Sequence, residues 1–113
     1  MFEIQGTCGD TRIVRNLFPD GLRWVHDAFA VNADDTAKSM ISVIPAKVRG
    51  MVIDSPQPVT VNIGNATFRV GPCPLVWNDS IANGTGFPCS VDAIPEVVNE
   101  GEDRTVVRIS VGY

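Results

Sequence analysis

Lysine is nearly missing from this chain. Seven of its nine basic residues are Arg (12, 15, 23, 49, 69, 104, 108) and only Lys38 and Lys47 are Lys. Lys-poor, Arg-rich composition is the bias of protein–protein interfaces, where the planar guanidinium is less costly to strip of water than an ammonium. Charged residues make up 19 %, below the usual quarter, so little surface is given over to solvation. The balance of charge is −4, without the basic stripe that nucleic-acid binding requires. No apolar run approaches the roughly 20 residues that cross a bilayer. The opening residues, MFEIQGTCGD, carry neither the basic stretch nor the apolar run of a secretory signal, which points to folding in a cytoplasm.

Metal and catalytic patterns are equally scarce. Cys8, Cys73 and Cys89 are far apart in sequence, without the close pairs of a zinc site, and His26 is the single histidine. Buried free thiols are the expected state of all three. A bond between Cys73 and Cys89, which bracket a long loop, is the alternative. His26 and Asp27 are adjacent in a predicted strand, so their side chains point to opposite faces and Asp27 cannot orient the imidazole as a catalytic pair requires. Cys8 and Ser39 are the remaining candidate nucleophiles, with no partner in the sequence. The acidic groups Asp34-Asp35 and Glu100, Glu102, Asp103 lack the order of a calcium loop. The expectation is a protein with no enzymatic activity, no metal and no cofactor.

What the chain does have is hydrophobic alternation, with 44 % hydrophobic residues to supply a core. Val59–Ile63 and Ala66–Val70 alternate apolar and polar, and Gly64-Asn65 between them suits a two-residue hairpin turn. Opposed pairs then sum to 129, which puts Val59, Val61, Ile63, Ala66, Phe68 and Val70 on one face. Asn62 faces Thr67 on the other. The triplet Asn65-Ala66-Thr67 also spells a glycosylation acceptor, as do Asn78-Asp79-Ser80 and Asn83-Gly84-Thr85. The hairpin accounts for more residues at once. Phe18-Pro19-Asp20-Gly21-Leu22 predicts a second hairpin joining strands near 11–18 and 22–31. Residues 99–103 predict a third, joining a strand near 93–98 to Thr105–Val111, whose inward face is Val107, Ile109, Val111 and Tyr113. Lys38–Ile44 and Lys47–Ile53 are further β-branched segments around Pro45-Ala46. The one helical candidate is Asp34–Met40, with Asp34 as cap.

Together these predict one all-β domain over residues 1–113, a small β-sandwich or jelly-roll-like barrel of about 7–8 antiparallel strands. Residues 71–90, rich in Pro and Gly, form a long ordered loop flanking one short strand at Leu75-Val76-Trp77. Long loops in compact domains tend to carry function. The first hairpin (Arg12, Arg15, Arg23, Trp24) and this loop (Trp77, Phe87) are therefore the expected protein-contact residues. Trp24, Trp77 and Phe87 with Asn78, Asp79 and Asn83 also allow a carbohydrate-binding reading, in which aromatic rings stack on sugars.

Three segments carry a resemblance: Pro-Leu-Val-Trp-Asn-Asp at 74–79, Gly-Phe-Pro-Cys-Ser-Val-Asp-Ala-Ile at 86–94, and the ending Arg-Thr-Val-Val-Arg-Ile-Ser-Val from 104. Across residues 59–113 the chain resembles small β-rich virion proteins of tailed bacteriophages. The resemblance implies a capsid-decorating (cement) protein bound to the major capsid lattice as a dimer or trimer, located in the virion and assembled in the host cytoplasm. It implies no catalytic residues. A neck or tail component of the same kind of virion fits as well.

Overall fold

A computed structural model of the chain describes residues 2–5, 21–78, 87 and 89–113. These residues form a sandwich of two β-sheets. The strands are β1 (Phe2–Gln5), β2 (Trp24–Val31), β3 (Asp35–Lys38), β4 (Gly50–Asp54), β5 (Val59–Ile63), β6 (Ala66–Val70), β7 (Leu75–Asn78), β8 (Glu96–Asn99) and β9 (Thr105–Gly112), with one 3-10 turn at Pro45–Lys47. Sheet A has the order β1-β6-β5-β8-β3 and sheet B the order β2-β9-β4-β7. The all-β sandwich is the expected class, and its pairings are antiparallel except that β1 runs parallel to β6.

The β5–β6 hairpin has the register read from the alternation, with Val59 opposite Val70, Val61 opposite Phe68 and Ile63 opposite Ala66. Gly64 takes the positive φ of 59° and Asn65 does not, the pattern of a type II′ turn with Gly at its first central position. Val59, Val61, Ile63, Phe68 and Val70 are each at most 5 % exposed. Burying five such side chains contributes roughly 10 kcal/mol before entropy is counted. A one-residue slip would turn all of them outward, so the register is strongly specified.

Opposite them in sheet B, Met51, Ile53, Leu75, Trp77, Val107, Ile109 and Val111 close the core. The predicted inner face of the last strand is observed, with Val106, Arg108 and Ser110 alternating outward.

Three expectations are corrected. Residues 99–103 do not close a hairpin: β8 pairs with β5 and β3 in sheet A, whereas β9 pairs with β2 and β4 in sheet B. The segment is a corner between the sheets, held by Asn99. This side chain is fully buried, and its Nδ2 donates to the carbonyls of Val31 (3.2 Å), Asn32 (3.2 Å) and Asp103 (2.8 Å). Its Oδ1 accepts from Gly101 N and from Gln57 Nε2. Asp34–Met40 is not helical: Asp34 sits in a tight turn at φ 55°, and Asp35–Lys38 pairs with β8. Cys73 is disulfide-bonded while Cys89 is a free, buried thiol, so the Cys73–Cys89 bond does not form and the free-thiol expectation holds for Cys89 alone of these two. Cys8, residues 11–18 of the first hairpin, and 79–86 of the long loop lie outside the described residues.

Candidate interaction surface

The two outer faces of the sandwich differ in chemistry. Sheet A presents Thr36, Lys38, Thr60, Asn62, Thr67, Arg69, Glu96 and, as its lone apolar member, Val98. That is an ordinary solvated face. Sheet B has rows set by its register: Trp24–Gly112–Gly50–Asn78, His26–Ser110–Val52–Val76, Ala28–Arg108–Asp54 and Ala30–Val106, with Val76 buried at 2 % exposure. The polar residues in those rows are His26, Ser110, Arg108, Asp54 and Asn78.

Trp24 is the anchor of the sheet B face. Gly112 lacks a side chain beneath it, and a Cβ added there would come within 3.1 Å of both the Trp24 indole and Leu22. The missing Cβ is thus a seat for the indole. The His26 ring lies nearly parallel to Trp24 at 12°, with centroids 6.4 Å apart. His26 Nδ1 and Ser110 Oγ are 2.8 Å apart across the strands. Val106 is 43 % exposed at the far end of the face.

Asp27 points the other way, as alternation demands. Its Oδ2 accepts from Ser39 Oγ (2.7 Å) and from Met40 N (2.8 Å). These bonds, the Ser39 hydroxyl foremost, and a further one from the Ala28 N–H hold the carboxyl below its ordinary value against the upward push of burial. His26 and Asp27 therefore do separate work, and Ser39 is committed to Asp27.

Two of the four edge strands formed by described residues, β2 and β3, carry an aspartate at an outward main-chain donor. Arg23 and Tyr113 exchange both main-chain bonds, so by alternation the Ala28 N–H points away from β9, where Asp27 accepts it. On β3 the outward N–H of Thr36 donates to Asp35 Oδ1 at 2.8 Å. A capped edge donor is unavailable to a further strand.

The expected contact residues divide. Arg23 is exposed and Trp24 half-buried on the sheet B face, whereas Arg12 and Arg15 lie outside the described residues. Trp77 and Phe87 are corrected from contact residues to core: Trp77 is 1 % exposed and meets Phe87 edge-on at 5.2 Å. Phe87 also packs against Phe68 at 5.8 Å. Their burial removes two of the three aromatic platforms on which the carbohydrate reading rested. Sequence reading missed His26–Ser110, Gly112 and Val106. The alternation of β9 carried the signal for Val106 and Ser110, but only the neighbouring strands show that its outward face is continuous with Trp24.

Among the described residues no helix is long and apolar enough to cross a membrane, and no three His, Cys, Asp or Glu side chains come together. Comparison with protein-family models, with curated proteins and with solved structures returns no match.

Proposed function

We propose that this protein is a non-enzymatic assembly component, a capsid-decorating protein of a tailed-phage-like virion whose sheet B face rests on the major capsid lattice. The observation that carries the proposal is the contrast between the two outer faces. Sheet A is polar in all but one of its positions, while sheet B sets Trp24, Ala28, Ala30, Val52 and Val106 in one continuous surface. In this face apolar side chains surround Arg108, which stands at its middle between Ala28 and Asp54, and such a mixture of apolar and Arg side chains is the composition favoured at protein contacts. A centre of small and β-branched side chains suits a broad, flat partner better than a small molecule, which needs a concave site.

The Cys73 disulfide fits the same life, because a bond of this kind persists on a particle exposed to an oxidising exterior.

The test is to fractionate the particles from cells that make this chain and to count its copies against the major shell subunit. A fixed stoichiometric ratio to that subunit supports a capsid position. A handful of copies per particle moves the chain to a neck or tail position. Recovery in the soluble fraction only rejects the assembly reading.

A further inference from the structure

A second apolar surface lies away from the sheet B face. Five large hydrophobic side chains are exposed among the described residues, and three of them, Met40 (90 %), Val91 (58 %) and Ile94 (53 %), stand on two loops at one end of the sandwich. These loops, residues 39–44 and 89–95, run antiparallel. Val43 and Ala93 exchange both main-chain bonds, at 2.8 and 3.2 Å, and Ser39 N donates to Pro95 O at 2.8 Å.

The loop that displays Met40 is fixed in place. Met40 N and Ser39 Oγ both donate to Asp27, and Ile41 N donates to Ser39 Oγ at 3.1 Å. So the most exposed large apolar side chain stands on one of the better-anchored loops. Its backbone needs no further ordering on binding, which is the condition under which an apolar contact converts efficiently into affinity. On either side of Met40 in the chain, Lys38 and Ser42 line an open groove of about 570 Å³, together with Asn62, Gly64, Asp92, Ala93, Ile94 and Glu96.

We propose that this end of the sandwich pairs with a second copy of the chain about a twofold axis, Met40 of each entering the groove of the other. The pairing deepens the assembly reading by naming one partner, and it shares that reading's premise that the protein works in more than one copy. Two observations select a second copy as the occupant. The protruding group and the groove are neighbours on one surface, as a self-complementary twofold contact requires. The groove carries both signs of charge: Lys38 stands opposite Glu96 within the chain, and Asp92 is left to meet Lys38 of the other copy, although the chain as a whole is acidic at −4.

The full chain, purified, tests this by sedimentation equilibrium with circular dichroism as the check on folding. The wild type is expected to dimerise. Met40→Asp and Ile94→Asp, on exposed loop positions, are expected to weaken the dimer by about tenfold or more with unchanged dichroism. Lys38→Asp and Asp92→Lys should each self-associate poorly, while an equimolar mixture of the two pairs again, because each restores the charge opposite the other. A monomeric wild type at all accessible concentrations overturns the proposal. So does a dimer unaffected by Met40→Asp, or one lost only on substituting Val106, which would move the contact to sheet B. If Met40→Asp lowers particle occupancy while the purified wild type stays monomeric, the end docks on a different chain, and the second-copy proposal fails while the assembly reading stands.

Discussion

Gly64 and Cys89 share one space: a side chain on Gly64 would overlap the Cys89 thiol, which itself donates to Val91 O at 3.0 Å. The hairpin turn is thus doubly committed to glycine, by its φ of 59° and by its neighbour. Gly64→Ala should cost about 3 kcal/mol, combining left-handed strain of about 1–2 kcal/mol with overpacking of similar size. In a Cys89→Ala background the same substitution should cost only the backbone part, about 1–2 kcal/mol. Denaturant titration of the four variants measures the coupling. Equal costs in both backgrounds would show that the thiol does not fill this space.

Asn99 joins the end of β8 to the end of β2 and to the 99–103 corner. Its replacement by Ala removes the donor to the carbonyls of Val31, Asn32 and Asp103 and the acceptor of the Gly101 N–H, and of these Asp103 O keeps its bond from Gln57 Nε2. A loss of about 3 kcal/mol is expected by chemical denaturation. Asn99→Asp should be at least as damaging, since a carboxylate cannot donate to three carbonyls and would be buried charged. A loss under about 1 kcal/mol for either variant would mean that the corner is held elsewhere.

Asp27 gives the fold an acid-sensitive tie. Its carboxyl is held below the ordinary value by Ser39 Oγ, with further bonds from Met40 N and Ala28 N. A depressed native value means that the unfolded chain takes up its proton first as pH falls. The stabilisation from Asp27 is therefore fully present above the unfolded carboxyl value of about 3.9 and is lost as pH drops through the lower native value. Asp27→Asn should be less stable than wild type at pH 6, and the gap should narrow below about pH 4. A gap independent of pH would contradict the assignment.

The two tryptophans should behave oppositely. Trp77→Ala empties a core position flanked by Phe87 and should cost about 3–5 kcal/mol. Trp24→Ala, at a half-buried position on the outer face, should cost about 1 kcal/mol in stability while impairing association. Thermal unfolding separates them. Similar losses at both sites would undo the division into core and contact residues.

How far the sequence could be read follows from which contacts are local. Among the described strands consecutive in the chain, only β5 and β6 pair with each other, and there the alternation of Val59–Val70 carried the full register. The inward face of β9 was legible for the same reason. Elsewhere the chain passes from sheet to sheet, and a short polar turn such as 99–103 looks the same whether its flanking strands pair or part. What decides is Asn99 reaching Val31, Asn32 and Gln57, residues distant in sequence. Asp34 was read as a helix cap because Asp favours both caps and left-handed turns, and only the pairing of β3 with β8 distinguishes them. The short strand at Leu75-Val76-Trp77 was legible, but its Pro- and Gly-rich flanks suggested a contact role for Trp77, and only the packing of β7 against the core shows that the indole points inward. On the contact surface, Trp24 and Arg23 were legible as residue types suited to interfaces. The apolar surface near Trp24 was not, because it is assembled from β2, β4 and β9 side by side.

The assembly role of the sheet B face is tested most directly by particle occupancy with a matched pair of surface charges. Val106→Asp lies on the sheet B face and Thr60→Asp on the sheet A face, both outward on paired strands. Particles are assembled with each variant and with the wild type, and the bound chain is counted per shell subunit. The proposal predicts that Val106→Asp falls to a small fraction of wild-type occupancy while Thr60→Asp binds as wild type does. Full occupancy by Val106→Asp, or equal loss from both variants, would contradict it.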